Sequence, residues 1–258
     1  MTLSFNSELI TGYKSSSQIA RILTEDWLFG NMYCPICGAE KIDKVKANAP
    51  VKDYICDRCN SQYELKSKKI YSEVFQFKVN DGAYQTMIDR ITSLENPHFF
   101  FMHYDNSMVN NLILVPKYFF TPSIIEKRKP LSSQAQRANW EGCNILLSKI
   151  PNTAKIPIIK NGNIIPKEDV IKTYNHVCSL KTDNLGARGW LLSILNCMEL
   201  LDEQFTLKQM YGFVSNLRAN YPSNNNIEAK IRQQLQLLRD KGFIEFVTPG
   251  VYRKIRTL

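Results

Sequence analysis

Between positions 16 and 31 the apolar residues Ile19, Ile22, Leu23 and Trp27 recur at intervals of three and four, which puts them on one stripe of a helix, and Gly30 offers a stop. Residues 51–56 (VKDYIC) and 62–67 (QYELKS) read instead as two strands, so that Cys56 to Cys59 becomes the turn of a hairpin. A helix capped by Asn80 or Asp81 and running to about Ser93 is expected next. The apolar runs 98–104 (HFFFMHY) and 111–116 (NLILVP), a strand at 155–160 and a helix at 166–178 then complete a compact α/β domain.

At 179–189 (SLKTDNLGARG) the chain turns polar and glycine-bearing, which predicts a domain boundary and divides it into residues 1–180 and 181–258. The second part has the order of a winged helix. An apolar helix spans 190–201, Thr206 caps a second helix to about Ala219, and 221–226 forms a turn. A third helix covers 227–241 with Ile231, Leu235 and Leu238 inward, and a tight hairpin around Thr248, Pro249 and Gly250 makes the wing.

Cys34 and Cys37, then eighteen residues, then Cys56 and Cys59 form two Cys-x2-Cys knuckles. That spacing predicts four thiolates closing on one structural zinc ion. Asp53 precedes the second knuckle, and Glu64-Leu65-Lys66 follows it. Strand period two places Glu64 and Lys66 on one face, with Asp53 able to meet them from the partner strand. Two such carboxylates can hold Mg²⁺ while leaving positions for water and a phosphate oxygen, and the ammonium can stabilise charge growing on the phosphate. This pattern resembles the PD-(D/E)xK nuclease superfamily, although Lys52 rather than proline stands before Asp53. Glu25 and Asp26 on the first helix could approach the same site; the alternative is a solvated helix face.

The 258 residues carry a formal charge of +9, which favours a polyanionic partner. No apolar run approaches eighteen residues, so no membrane span is expected, and four of seven cysteines committed to a zinc pattern argue for a reducing cytoplasm. Cys143, Cys178 and Cys197 read as small buried side chains.

Candidate DNA contacts lie in two places. The basic stretch 117–142 includes Arg137 and ends at Trp140, which could lie against DNA or plug the core. In a winged helix the third helix enters the major groove. Its N-terminal half offers Asn226, Lys230, Arg232, Gln233 and Gln234, where Asn and Gln suit adenine and Arg suits guanine. Arg253 on the wing reads as a phosphate clamp.

Several local matches extend the resemblance over the whole chain: YKS at 13–15, ARILTEDW at 20–27, the CPxCG knuckle at 34–38, ELKSKK at 64–69, NDGAY at 80–84, Gly189-Trp190, IRQQLQ at 231–236 and LRDK at 238–241. These resemble the DpnI family of methyl-directed type II restriction endonucleases. The resemblance implies a PD-(D/E)xK domain with an inserted four-cysteine zinc site, a C-terminal winged helix, and Mg²⁺-dependent hydrolysis of double-stranded DNA at N6-adenine-methylated GATC. It carries the catalytic roles onto Asp53, Glu64 and Lys66, the zinc ligands onto Cys34, Cys37, Cys56 and Cys59, and a methyl-proximal segment onto the Trp140 region. A cytoplasmic monomer without membrane attachment is expected. The alternative from the residues alone is a DNA-binding regulator whose zinc knuckle and winged helix serve binding, with the acids merely solvated.

Overall fold

The stripe predicted on the first helix faces inward: α1 (Ser16–Asn31) buries Leu23, Trp27 and Leu28. The computed structural model describes residues 1–45, 53–70, 78–93, 96–105 and 107–255. Positions 51 and 52 of the expected first strand, and 46–50 of the loop before it, lie outside the described residues.

After α1 come β1 (Asp43–Lys44), β2 (Tyr54–Ile55), β3 (Gln62–Lys69), β4 (Lys78–Ala83), α2 (Tyr84–Thr92), β5 (His98–Tyr104), β6 (Val109–Val115), β7 (Ile125–Lys127), β8 (Gly142–Leu146), β9 (Ile156–Lys160), β10 (Asn163–Ile164) and α3 (Lys167–Cys178). Seven strands form one sheet in the order β1-β2-β3-β5-β6-β9-β10. Every residue of β5 is buried, as a central strand covered on both faces must be, which explains its unbroken apolar run. Among the described residues of this sheet only β3 and β5 pair in parallel. A parallel pair needs a long crossover, and here the crossover carries β4 and α2.

That geometry corrects the expected helix cap. Asn80 and Asp81 lie inside β4, which pairs with β8 in a second sheet ordered β4-β8-β7, and α2 starts at Tyr84 with no side-chain cap. Val79 and Asp81 turn inward from β4 while Lys78, Asn80 and Gly82 stay exposed, so a period of two was present where a cap was inferred.

The C-terminal part comprises α4 (Leu185–Glu199), β11 (Gln204–Thr206), α5 (Leu207–Tyr211), α6 (Val214–Asn220), α7 (Ile227–Asp240), β12 (Ile244–Thr248) and β13 (Val251–Lys254). α4 begins ahead of the expected Trp190 because Asn184 caps it, its side chain accepting a 2.8 Å bond from the Ala187 amide. The expected second helix is broken at Gly212 and Phe213, although Thr206 does cap it, in a reciprocal box with Gln209. α7 buries Ile231, Leu235 and Leu238 as its period predicts. Gly250, with φ +76°, turns the β12-β13 hairpin, and β11 adds a third strand.

α4 packs on the preceding part through Arg188. This buried guanidinium donates to the carbonyls of Phe120 (3.0 Å), Thr182 (3.3 Å) and Ile91 (3.4 Å), and His176 stacks on Phe243 with ring centres 4.1 Å apart. Among the described residues no helix is long and apolar enough to cross a membrane.

Candidate active site and metal centre

Two turns of the same design bring the four predicted thiols together. In each, the amide four residues on bonds back to the first cysteine's carbonyl, Gly38 to Cys34 (2.9 Å) and Asn60 to Cys56 (2.7 Å). Gly38 and Asn60 take the left-handed conformation that such a turn requires, at φ 74° and 56°. Sγ of Cys34 lies 3.6 Å from that of Cys59, and Cys37 stands equally far from Cys56. Four thiolates about 2.3 Å from one tetrahedral ion would sit about 3.8 Å apart, so the set fits zinc in chemistry and in spacing. Among the described residues these cysteines are the one group of at least three metal-ligating side chains whose donor atoms all lie within 4.8 Å of one another. The surroundings reach outward: Tyr63 Oη is 3.0 Å from Cys34 Sγ, and Ser61 Oγ is 3.2 Å from Cys59 Sγ. Burial pushes the Cys34 thiol up to about 12, a cost that a bound dication would remove by making it a thiolate.

The second knuckle is also the end of the hairpin β2-β3. Tyr54 pairs with Tyr63, and beyond them the Asp53 amide donates to the Tyr63 carbonyl (3.0 Å) while its carboxylate accepts from the Leu65 amide (2.9 Å). Asp53 therefore brackets Glu64 from the neighbouring strand, with its side chain exposed. Glu64 and Lys66 share a face, as strand period demands, and Nζ of Lys66 lies 2.5 Å from Oε1 of Glu64. Glu25 is close enough for the Asp53 charge to help raise its pKa, behind the larger effect of burial.

Two further residues enter the cluster. Asp81 of β4 accepts from Lys66 Nζ, and Arg90 of α2 donates to Glu64 Oε2. Glu64, Lys66, Asp81 and Arg90 are all nearly covered, with side chains 9 to 15% exposed. Burial raises the Glu64 pKa even against Lys66 and Arg90. The opposite contest is won by charge at Lys66: burial opposes its ammonium, yet Glu64 and Asp81 raise it above the usual lysine value. Arg90 left no mark in the sequence, because one arginine on a short amphipathic helix reads as a solvated position.

The Trp140 segment adjoins this cluster through the small sheet. Asp81 pairs with Cys143 on β8, and Gly142 next to it carries the Trp140 ring, where an added Cβ would meet two ring carbons at 2.8 Å. Trp140 is half-buried over β8, and Arg137 is exposed at the loop it closes. The Arg137 carbonyl accepts from the Trp140 amide at 3.1 Å. Burial raises the Cys143 thiol pKa to about 11, and the charges of Asp81, Lys66, Arg128 and Glu64 also act on it.

At the C-terminal helix the candidates divide. Asn226, Arg232 and Gln233 are exposed, and Lys230 reaches Gln233 Oε1 at 2.7 Å. Arg232 donates to Tyr211 Oη, and exposed Arg253 pairs with Glu245 at 2.8 Å on the hairpin. Gln234 is corrected: only 5% exposed, it points into the domain beside Leu235, and cannot reach a groove. A seven-residue run with polar side chains at five positions hid that inward turn, which follows from the three-residue step after Ile231.

Comparison with known families covers nearly the whole chain. A model described as "DpnI: Dam-replacing family" matches residues 1–183, and one described as "DpnI_C: Dam-replacing HTH domain" matches residues 186–254.

Proposed function

Because the chain belongs to the DpnI-type, Dam-replacing family of methyl-directed restriction enzymes, we propose that it is a type II endonuclease hydrolysing double-stranded DNA at GATC carrying N6-methyladenine. In this reading residues 1–180 form a PD-(D/E)xK nuclease domain and 181–258 a winged helix. The observation that carries it is the hairpin on which Asp53 brackets Glu64 while Lys66 shares the Glu64 face. Helices and a three-stranded sheet ending in an exposed hairpin support the second assignment.

Asp53 and Glu64 offer the carboxylate oxygens that would hold Mg²⁺, a hard cation that prefers such donors. Bound there, the cation would supply Lewis-acid activation. The chain's own residues do the rest. Lys66 presents an ammonium to the negative charge that grows on the scissile phosphate. Arg90 pairs with the Glu64 carboxylate from α2. The closed set of four cysteines is assigned structural zinc, which pins the hairpin and leaves no position for substrate. Trp140 and Arg137 form one DNA-facing edge, and Asn226, Lys230, Arg232, Gln233 and Arg253 the other.

The test is a digest of matched plasmids with and without adenine methylation, in Mg²⁺ or in EDTA. Cleavage of the methylated plasmid in Mg²⁺ alone is expected. Binding without cleavage under every condition would leave a DNA-binding regulator in its place.

A further inference from the structure

Lys66 has two anionic partners drawn from different sheets. Glu64 is its neighbour on β3, whereas Asp81 arrives on β4 from the sheet that β8 and β7 complete. The pairing of β4 with β8 slips between Asp81 and Ala83. A slip of this kind re-aims a side chain, and here the carboxylate meets Lys66 Nζ. The Gly82 amide donates to the same Asp81 Oδ1 at 2.7 Å and fixes it in place. At 9% exposure the carboxylate is nearly dry, so its charge is poorly screened.

If Glu64 is committed to a divalent cation, it can no longer serve Lys66 as a full anion, and the cation itself repels the ammonium. In this reading the cation falls to Asp53 and Glu64, and Asp81, on the other sheet and held by the Gly82 amide through the oxygen that meets Lys66, keeps the ammonium. We infer that Asp81 is a positioning residue, anchoring the Lys66 ammonium toward the scissile phosphate while Glu64 holds the cation. This rests on the nuclease reading above. Asp81 touches no substrate and acts through Lys66.

Asp81→Asn in the full-length protein removes the charge and keeps the shape. Single-turnover cleavage of methylated duplex should fall about a hundredfold, the scale of a misplaced catalytic group. The dissociation constant for that duplex in EDTA, and the Mg²⁺ affinity measured by calorimetry, should each stay within about twofold, because the residue binds neither. Asp81→Glu, which restores the charge, should recover most of the rate. Wild-type cleavage by Asp81→Asn beside a dead Lys66→Ala control would overturn the inference and leave the nuclease reading standing. Cleavage by Lys66→Ala would instead bring down the reading itself. A loss of Mg²⁺ affinity of about tenfold in Asp81→Asn would tie Asp81 to the cation, as a ligand or as an outer-shell partner of one, rather than to Lys66, and no recovery in Asp81→Glu would assign the loss to packing; either overturns the positioning role.

Discussion

The carboxylate of Asp53 accepts a 2.9 Å hydrogen bond from the amide of Leu65, the residue that separates Glu64 from Lys66. One short hairpin thus fixes all three proposed catalytic side chains, and none of them needs α7 to stay in place. Asp53→Ala or Lys66→Ala should therefore lower cleavage by about a thousandfold or more. Affinity for methylated duplex, measured by gel shift in EDTA, should change by less than about threefold, since the proposed binding surface on α7 and the hairpin after it is untouched. Wild-type cleavage by either variant would end the assignment.

The same hairpin is tied at its far end by Cys56 and Cys59, so the zinc prediction concerns alignment as well as stability. Cys56→Ser should lose bound zinc, cooperative melting and cleavage together, because an open knuckle frees the strand that sets Asp53 against Glu64. Zinc content by atomic absorption and a thermal melt decide it. A variant that holds no zinc yet melts and cuts like the parent would show that the knuckles are dispensable.

The parts that were legible in the sequence had a local cause. The knuckles depend on spacing, α1 and α7 on a period near 3.6, and β5 on an apolar run too long for a half-exposed strand. What escaped depends on partners distant in sequence. Asp81 reads as a helix cap because Asn and Asp are preferred at that position, and only the crossover between β3 and β5 brings it to Lys66. Arg90 reaches Glu64 for the same reason. Gln234 differs: composition marks it as a reader, whereas its phase on α7 places it inside. The start of α4 is hard to read from the sequence because glycines 186 and 189 resemble a linker, although Asn184 carries the cap signal.

Acid should weaken the fold through His98. Burial, and then the charge of Lys117, lower its pKa to about 3, and the Lys117 amide donates to Nδ1 at 3.4 Å, as a neutral imidazole allows. The unfolded chain takes up the proton near pH 6.5 while the folded one resists it, so this stability is complete above about 6.5 and is lost as pH falls toward about 3. The slope is about 1.4 kcal/mol per pH unit for one such group. Urea unfolding at pH 7.0, 6.0 and 5.0 should show a shallower decline for His98→Phe than for the parent. Equal slopes would mean that His98 takes up its proton as readily in the folded protein as in the unfolded chain. The comparison also separates this effect from protonation within the four-cysteine set, which both proteins share.

The last prediction concerns how a methyl group can switch cleavage on. Burying one methyl contributes about 0.8 kcal/mol, a preference of about fourfold, too small to spare unmethylated DNA. Reading it repeatedly multiplies the preference, and a palindromic GATC presents two methyls close together in the major groove. The protein has two surfaces of suitable chemistry: the half-buried Trp140 ring with Arg137 beside the Lys66 cluster, and the exposed Arg232 and Gln233 with Lys230 on α7. Methylation is therefore expected to be read twice. The test is a double-mutant cycle on the ratio of dissociation constants for unmethylated and methylated duplexes. It uses the whole chain, because Arg188 is buried between the two parts and separate fragments would expose it. Trp140→Ala and Gln233→Ala should each reduce the ratio by about fourfold, and together by the product of the two, as independent sites do. Should Gln233→Ala weaken both duplexes equally, the second reading fails and Trp140 alone senses the methyl group. Should Trp140→Ala leave the ratio unchanged, discrimination belongs to α7 and the catalytic part only cuts.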